Sequence, residues 1–577
     1  MFKKTKWILP EYDSEFIEDL VKKFNISKTV ARTLSNRGIT SLDEADKFLN
    51  ISLNNLHDPY KLLNMKETID RIIKAFKNNE VIYGFGDYDV DGLTSLSILY
   101  LFLSKVYDKN KIFYKVPNRY SSGYGLNNDI IKEIFDAGGN LIITVDCGIS
   151  NYDEIAYANS LGMDVIVIDH HQIPPVLPDA VAILNPYLEG DKFPFKNMAA
   201  VGVTFNMLIA LRSKLRELGY FNNKPEVNLK QYLDIVAVGT VADIVPLFDE
   251  NRIFVKIGFE QMAKTQNLGL RALMDISDVE APIDSSKISF KIAPRINAAG
   301  RLSDASKVVD LFITEDPLVA KRIALELDDE NKRRQEIERE IYNNILSLID
   351  NKKNQDTAII VADESWNPGV IGIVASKLVD RYNRPTFLFS INDNIGRGSA
   401  RSINNFDLHK NLSKFKDLFI NYGGHKYAAG LSIKMEYFND FKDKMQNEAD
   451  IFFKNPDNLI QEIIIDDIIT PNEVSLSTYN ELKRLAPFGH KNHEPILGMR
   501  HLFVEDAKIV KEKHLRARLS LNKKYFQTIG FNLSQLIKET SSFIDIIFSL
   551  NLNVWKGYSK LQLNLKDLKK DEKDNFN

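Results

Sequence analysis

Cysteine is almost missing from this sequence: Cys147 is the single one in 577 residues. That excludes an internal disulfide framework and a zinc site built on cysteines. Long apolar runs are missing too. No stretch approaches the ~18 residues a spanning helix needs, so the sequence predicts a cytoplasmic protein with no membrane partner. The basic start, MFKKTKWILPEYDSEF, carries an apolar patch too short for a signal peptide, and acids follow at once. There is no internal repeat and no long low-complexity linker. Nor does one sign of charge dominate, since 75 Lys and Arg stand against 78 Asp and Glu, a net of −3. That total argues weakly against a nucleic-acid partner, but the distribution matters more. From Ala507 to Lys566 there are eleven Lys and Arg against three Asp and Glu, a net of +8 in sixty residues. An acidic catalytic half joined to a basic segment would hide a binding surface inside a neutral total. A solvated lysine-rich surface explains the same count equally well.

What is present is an alternation. With 44% apolar residues the chain can bury several cores. EVIYGFGD, KIFYKVPN, NLIITVDCG and MDVIVIDHH read as strands; GLTSLSILYLFLSKV, NDIIKEIFDAG and NYDEIAYANSLG between them read as helices. Short apolar strands separated by helices predict βαβ units and a mostly parallel sheet. A largely helical region follows to about residue 350 and ends in the charged helix ELDDENKRRQEIEREIYNNILSLI. TAIIVADESWNPGVIGIVASKLVDRYNRPTFLFS then begins a second strand–helix–strand alternation, and beyond about residue 460 strand-like runs dominate. Ahead of all this, SKTVARTLSNRGITSLDEADKFL has helical spacing, with a capping pattern at Ser41.

YGFGDYDVDGLTSL, Tyr83 to Leu96, packs three aspartates into five residues. A loop of turn formers would explain Gly84, Gly86 and Gly92. A cation would explain the crowding itself, because like charges become tolerable when a metal sits between them. In open α/β sheets, ligands bind outside the carboxyl ends of the strands. Asp87, Asp89 and Asp91 follow one predicted strand, Asp146 a second, and Asp169, His170 and His171 a third. If the strands are parallel, all three groups meet at one edge. Asp243 stands alone in the apolar IVAVGTVADIVPL, where a charge is costly without a partner. Four such groups point to cations rather than to coincidental caps. Carboxylates with imidazoles and no thiolate favour Mn²⁺ or Mg²⁺. More carboxylates than one ion needs predicts two ions, the arrangement that serves in-line displacement at phosphorus.

DYDVDG, VDCG, DHH and VADIVPL, in that order, resemble the successive motifs of the DHH phosphoesterase family. PNRYSSGYGL, PRINAAGRL, GRGSARSI, YGGHKYAAG and LAPFGHKNHEP extend the resemblance over nearly the whole chain, to the family's branch of bacterial exonucleases specific for single-stranded DNA. The fold this implies is α/β: a parallel-sheet DHH domain and a smaller DHH-associated domain joined by a long helix, plus a C-terminal OB-like β-barrel. The expected boundaries are a helical lead-in over 1–65, a catalytic domain over 66–320, a connecting helix over 321–352, a substrate domain over 353–455, the barrel over 456–570 and a tail over 571–577.

On matching positions, the resemblance implies that Asp89, Asp91, Asp146, His170 and Asp243 hold two ions, Mn²⁺ or Mg²⁺, with Asp146 bridging them. Asp87 reads either as a further ligand or as a hydrogen-bonded neighbour of the ligands. His171 would contact the scissile phosphate or assist proton transfer, so His171 and Asp146 are the expected catalytic pair. Position 85 is Phe where some relatives carry His, which puts a sixth protein ligand in doubt. Ser399 and Arg401, in GRGSARS beside Arg397, would hold the 5′ end of the strand. Arg119, Arg295 and Arg301 match other phosphate-binding arginines; each also reads as a structural ion-pair residue. His425 reads as a substrate contact or as tight domain packing. In the barrel, Arg516, Arg518, Lys523 and Lys524 alternate with apolar residues and are the expected nucleic-acid cations. Tyr525, Phe526, Trp555 and Tyr558 are aromatics for stacking or for the core. The activity implied is metal-dependent 5′→3′ degradation of single-stranded DNA to mononucleotides by a monomer, in repair and recombination, with a single-strand-binding protein and a helicase as partners. Two other readings share the site: a phosphodiesterase of cyclic dinucleotides or short oligonucleotides, and a single-strand binder without chemistry. The first would not need the basic C-terminal strands; the second would leave buried acids uncompensated.

Overall fold

The computed structural model describes residues 5–117, 125–351, 356–540, 542–555, 558–571 and 575–576, with backbone alone at 350–351, 554–555 and 558. The chain forms two compact units, one of residues 9–328 with 465–573, the other of residues 329–464 with both termini.

A strand precedes the helices of the lead-in. β1 (Thr5–Ile8) runs parallel to Gln461–Ile464, with Trp7 fully buried. At four residues its alternation is too brief to read from sequence. Helices Ser14–Phe24, Lys28–Asn36 and Leu42–Leu49 follow, the last capped by the Ser41 hydroxyl, which accepts from the Glu44 N–H at 3.2 Å.

In the larger unit, β2 (Ile82–Gly86), β3 (Ile112–Lys115), β4 (Leu141–Val145), β5 (Asp164–Ile168) and β6 (Ala182–Leu184) form a sheet of order β3-β2-β4-β5-β6, parallel throughout. β2 and β4 are buried along their whole length, as strands covered on both faces must be. Helices Val90–Val106, Ala200–Glu217 and Leu233–Ala242 pack into one large core on one side, and Asn128–Asp136 and Tyr152–Ser160 enclose a second with Phe85 and Ile142. Because the sheet is parallel, β2, β4 and β5 deliver their following residues to the same edge.

In the smaller unit, β7 (Ile359–Asp363), β8 (Thr386–Asn392), β9 (Ile395–Arg401), β10 (Phe419–Gly424) and β11 (Ala428–Lys434) make a mixed sheet of order β10-β11-β9-β8-β7, in which only β7 and β8 are parallel. GRGSAR, residues 396–401, makes up nearly all of the strand β9. A Cβ at Gly398 would lie 2.5 Å from the Phe389 ring, so the glycine makes room for that aromatic. In the chain, helix Pro317–Asn351 precedes β7, and β12 (Gln461–Ile464) pairs with β1.

The C-terminal strands β13 (Asp467–Ile468), β14 (Leu497–Val510), β15 (His514–Leu521), β16 (Lys524–Gly530), β17 (Phe543–Trp555) and β18 (Tyr558–Lys570) order as β13-β14-β15-β16-β18-β17, and the β14–β17 pairing closes them into a barrel. The barrel core includes Leu497, Leu515 and Phe548 together with Ile17, Val30, Leu34 and Phe48 of the N-terminal helices.

Candidate metal centre

β2 ends at Gly86, and the next turn carries the aspartates. Asp89 caps helix Val90–Val106: its Oδ1 accepts from the N–H groups of Asp91 at 2.9 Å and Gly92 at 3.1 Å. Gly92 is obligatory there, since a Cβ would lie 2.6 Å from the Asp87 carbonyl oxygen. Asp91 is buried, and both its oxygens are held by the first N–H groups of helix Ala200–Glu217, from Ala200 at 2.6 Å and Val201 at 2.9 Å. Asp146 leaves β4 with φ +61, a left-handed conformation that Asp tolerates better than most residues. Asp243 caps the C-terminus of helix Leu233–Ala242.

His170 stands at the centre. Its Nε2 lies 3.2 Å from Asp146 Oδ1 and 3.9 Å from Asp91 Oδ2, and its Nδ1 lies 3.7 Å from Asp243 Oδ2. Donor atoms gather within 4.8 Å of one another in three groups: Asp146, His170 and His171; Asp91, His170 and Asp243; Asp87, Asp89 and Asp146. Asp146 and His170 each belong to two of them. The structure thus brings together Asp87, Asp89, Asp91, Asp146, His170, His171 and Asp243.

Without a cation the crowded acids hold on to their protons. Burial, then the charge of Asp89, pushes the Asp91 carboxyl up to about 7. Burial, then Asp91, pushes Asp243 up to about 9, and burial with the charges of Asp89 and Asp91 raises Asp146 well above the ordinary range. Burial, then His171, lowers His170 to about 4, so its imidazole is neutral and able to ligate at neutral pH. No described donor reaches the buried Asp243 Oδ2, and 3.7 Å from His170 is no hydrogen bond. An all-oxygen-and-imidazole donor set with an orphaned buried carboxylate oxygen fits Mn²⁺ or Mg²⁺. Phe85, at the doubtful sixth position, is buried in apolar surroundings.

Asp169, which the sequence places at the same strand ends, makes contacts that the sequence did not reveal. It is fully buried and accepts from the N–H groups of Ile149 at 3.1 Å, His170 at 2.8 Å and His171 at 3.1 Å, and it faces His171 Nδ1 at 2.7 Å. Burial opposes its ionisation, but these bonds, His171 foremost, hold its carboxyl below the ordinary range. In return, Asp169 outweighs the effect of burial on His171 and raises its imidazole.

The remaining candidates are dispersed. Arg119 lies outside the described residues. Arg295 is engaged by Asp328, at 2.7 and 2.8 Å, and by the Lys291 carbonyl at 2.6 Å. Arg301 is half-buried near the end of helix Ala293–Leu302, whose Gly300 leaves no room for a Cβ, 2.5 Å from the Tyr88 carbonyl oxygen. That contact presses PRINAAGRL against the DYDVDG turn. Within the smaller unit, Arg401 donates to Ser399 Oγ at 3.3 Å and to the Ala400 carbonyl at 2.8 Å. Gly372, at the start of helix Ile371–Tyr382, borders both: a Cβ there would meet Ser399 Oγ at 2.8 Å and Arg401 Nη2 at 3.2 Å. Arg397 faces Ser432 across β9 and β11, and the exposed His425 donates its backbone N–H to Ala428 at 2.8 Å.

On the barrel, Arg516 and Arg518 project outward between buried Leu515, Ala517 and Leu519. Lys523 does not share that alternation. With Asn522 it forms a turn at positive φ, and Lys524 opens β16. Arg518 stacks over the Tyr525 ring at 4.5 Å, and Tyr525 is 59% exposed, whereas Phe526 is buried. The Trp555 and Tyr558 side chains lie outside the described residues.

Three family models match the chain: the DHH family N-terminal domain over residues 81–240, the DHHA1 domain over 355–450 and the RecJ OB domain over 465–567. The single-stranded-DNA-specific exonuclease RecJ of Bacillus subtilis is 34% identical over 572 residues, covering 98% of this chain and 71% of that protein. Thermus thermophilus RecJ in complex with Mn²⁺ superposes with a TM-score of 0.83 at 27% identity, covering 99% of this chain and 80% of the other. The same protein with Mg²⁺ gives 0.77 at 26% identity, covering 99% and 79%.

Proposed function

The chain belongs to the RecJ family of single-stranded-DNA-specific exonucleases, and from that membership and the acidic centre we propose that it hydrolyses single-stranded DNA from the 5′ end with two divalent cations. The observation that carries this is the meeting of Asp87, Asp89, Asp91, Asp146, His170, His171 and Asp243 at the carboxyl ends of parallel strands and of one helix. Asp89, Asp91, Asp146, His170 and Asp243 would hold the ions, with Asp146 between them. Two such ions stabilise the attacking and leaving oxygens at phosphorus and make water acidic enough to attack at neutral pH.

The chain's own residues do the rest. The N-terminal N–H groups of helix Ala200–Glu217 fix both Asp91 oxygens, so the ligand does not rotate. Asp169 accepts from His171 Nδ1 and favours the imidazolium, whose Nε2–H would donate to a phosphate oxygen. Water adds to phosphorus as the bond to the preceding O3′ breaks, releasing a 5′-mononucleotide and a strand shorter by one. Ser399 and Arg401 would take the 5′-phosphate, where the guanidinium offers paired donors. Arg516 and Arg518 would follow the backbone and Tyr525 would stack on a base. Acting on DNA, the protein would work in the cytoplasm, where a single-strand-binding protein and a helicase would meet the same strand.

The test is a 5′-phosphorylated single strand labelled at its 3′ end, incubated with Mn²⁺ or chelator beside a blunt duplex. A ladder of labelled products that needs metal and spares the duplex is expected. Tight binding without cleavage would make the protein a binder, and cleavage of only the shortest oligomers a small-substrate phosphodiesterase.

A further inference from the structure

Asp243 is followed by Ile244 at φ +61, with 68% of that residue exposed. A β-branched residue in the left-handed region is an outlier that persists only where its surroundings over-determine it. Part of what fixes the turn is local: Asn251 Nδ2 donates to the Pro246 carbonyl at 3.0 Å and to that of Asn197 at 2.7 Å. The rest comes from a distant part of the chain, LAPFGHKNHEP, which the reaction itself leaves without a role. The Leu247 N–H donates to the His490 carbonyl at 3.0 Å. Gly489 packs directly on the buried Leu247, where a Cβ would lie 2.6 Å from Cδ1 and 3.2 Å from Cγ.

This loop is itself rigidly held. The Gly489 N–H donates to the Asn492 carbonyl at 2.9 Å. Asn492 is fully buried; its Nδ2 donates to the Leu485 and Pro487 carbonyls at 2.9 and 2.8 Å, and its Oδ1 accepts from Arg37 at 3.0 Å. Arg252, buried on helix Asp249–Met262, donates to the carbonyls of Phe48 at 3.1 Å, Ala486 at 3.0 Å and Pro487 at 3.4 Å. A guanidinium whose three nitrogens each donate to a backbone carbonyl fixes the loop to the helix that follows Asp243.

We propose that the Gly489–Asn492 loop, preceding the long barrel strand β14, is a positioning segment for Asp243. By holding Leu247 it fixes the strained turn, and so the place of the Asp243 carboxylate in the metal centre. Its part is to support the ligand, not to bind the ion or the DNA. This rests on Asp243 being a metal ligand, as proposed above.

The experiment is Mn²⁺ titration of the full chain, followed by electron paramagnetic resonance, with steady-state kinetics on single-stranded DNA alongside. Gly489→Ala is expected to weaken one of the two Mn²⁺ sites about 10-fold, as loss of a ligand's support typically does, and to lower kcat at unchanged KM. Gly489→Ala with Leu247→Ala, which returns the space, is expected to recover Mn²⁺ affinity. Asn492→Ala loosens the same loop without adding an atom and is expected to weaken the same site, so it carries the test if Gly489→Ala unfolds. Wild-type Mn²⁺ affinity in both single variants would overturn the proposal, as would a double variant no better than Gly489→Ala, or a raised KM with Mn²⁺ affinity intact. A wild-type protein that binds no Mn²⁺ would instead overturn the reading of Asp243 as a ligand, and the proposal with it.

Discussion

Asp169 Oδ1 and His171 Nδ1 lie 2.7 Å apart, with the carboxylate fully buried and the imidazole partly open. One residue of the DHH motif thus orients another, while His170 between them turns to the acids. Replacing Asp169 by Asn keeps the shape and removes the charge. The expected result is a fall in kcat of about 10–100-fold, typical for losing the partner that orients a functional histidine, with Mn²⁺ still bound. Kinetics and a Mn²⁺ titration on the same preparation check it.

Asp146→Asn tests whether the acids do chemistry. Asn accepts the left-handed backbone at φ +61 as readily as Asp, so the fold should survive. Activity should fall by about 100-fold or more, at or beyond the range for losing a mere supporting group, while single-strand binding stays within a few-fold. Gel-shift and nuclease assays, with circular dichroism as the folding control, measure both.

The metal-free protein should lose stability as pH rises. Folding raises the carboxyls of Asp91 to about 7 and Asp243 to about 9, so between the ordinary carboxylate range and those values the folded state holds more protons than the unfolded one. Their contribution is complete below the unfolded range and is lost as pH climbs through the folded values. In chelator, Tm should therefore drop from pH 6 to pH 9. Mn²⁺ should flatten that slope and bind more tightly at the higher pH, because binding displaces protons.

Gly300→Ala should cost about 1–3 kcal/mol, the usual penalty for overpacking, because its Cβ would meet the Tyr88 carbonyl oxygen at 2.5 Å. The strain falls on the turn between Asp87 and Asp89, so activity should drop with stability. Denaturant unfolding and kcat measured together reveal the link.

Tyr525→Ala should weaken single-strand binding by about 1–3 kcal/mol if a base stacks on it, while Phe526→Ala should chiefly destabilise the barrel, since that ring is buried. Fluorescence anisotropy and thermal melts separate the two outcomes.

The parallel sheet was legible because buried parallel strands are nearly unbroken apolar runs, and β2, β4 and β5 carry their acids immediately after them. Asp243 was legible for the opposite reason, as the one charge in the apolar stretch IVAVGTVADIVPL. Other features depend on contacts distant in sequence. Helices 14–49 share a core with the barrel, and no local pattern announces that. β9 carries Gly396 and Gly398, poor strand formers, and Gly398 suits it because it faces the Phe389 ring. β14 breaks its alternation at bulges between Met499 and Leu502 and between Val504 and Asp506. Asp169 was read in sequence only as one more acid at a strand end, because a carboxylate that accepts four hydrogen bonds looks there like any ligand beside it.

The central claim is that this acidic cluster holds two divalent cations on which the nuclease depends. Counting Mn²⁺ bound per chain tests it most directly, in wild type and Asp146→Asn, at a metal concentration that saturates cleavage. The account predicts two ions in the wild type and at least one fewer in the variant. A wild-type chain that cleaves DNA with one ion or none, or a variant that still binds two, would contradict it.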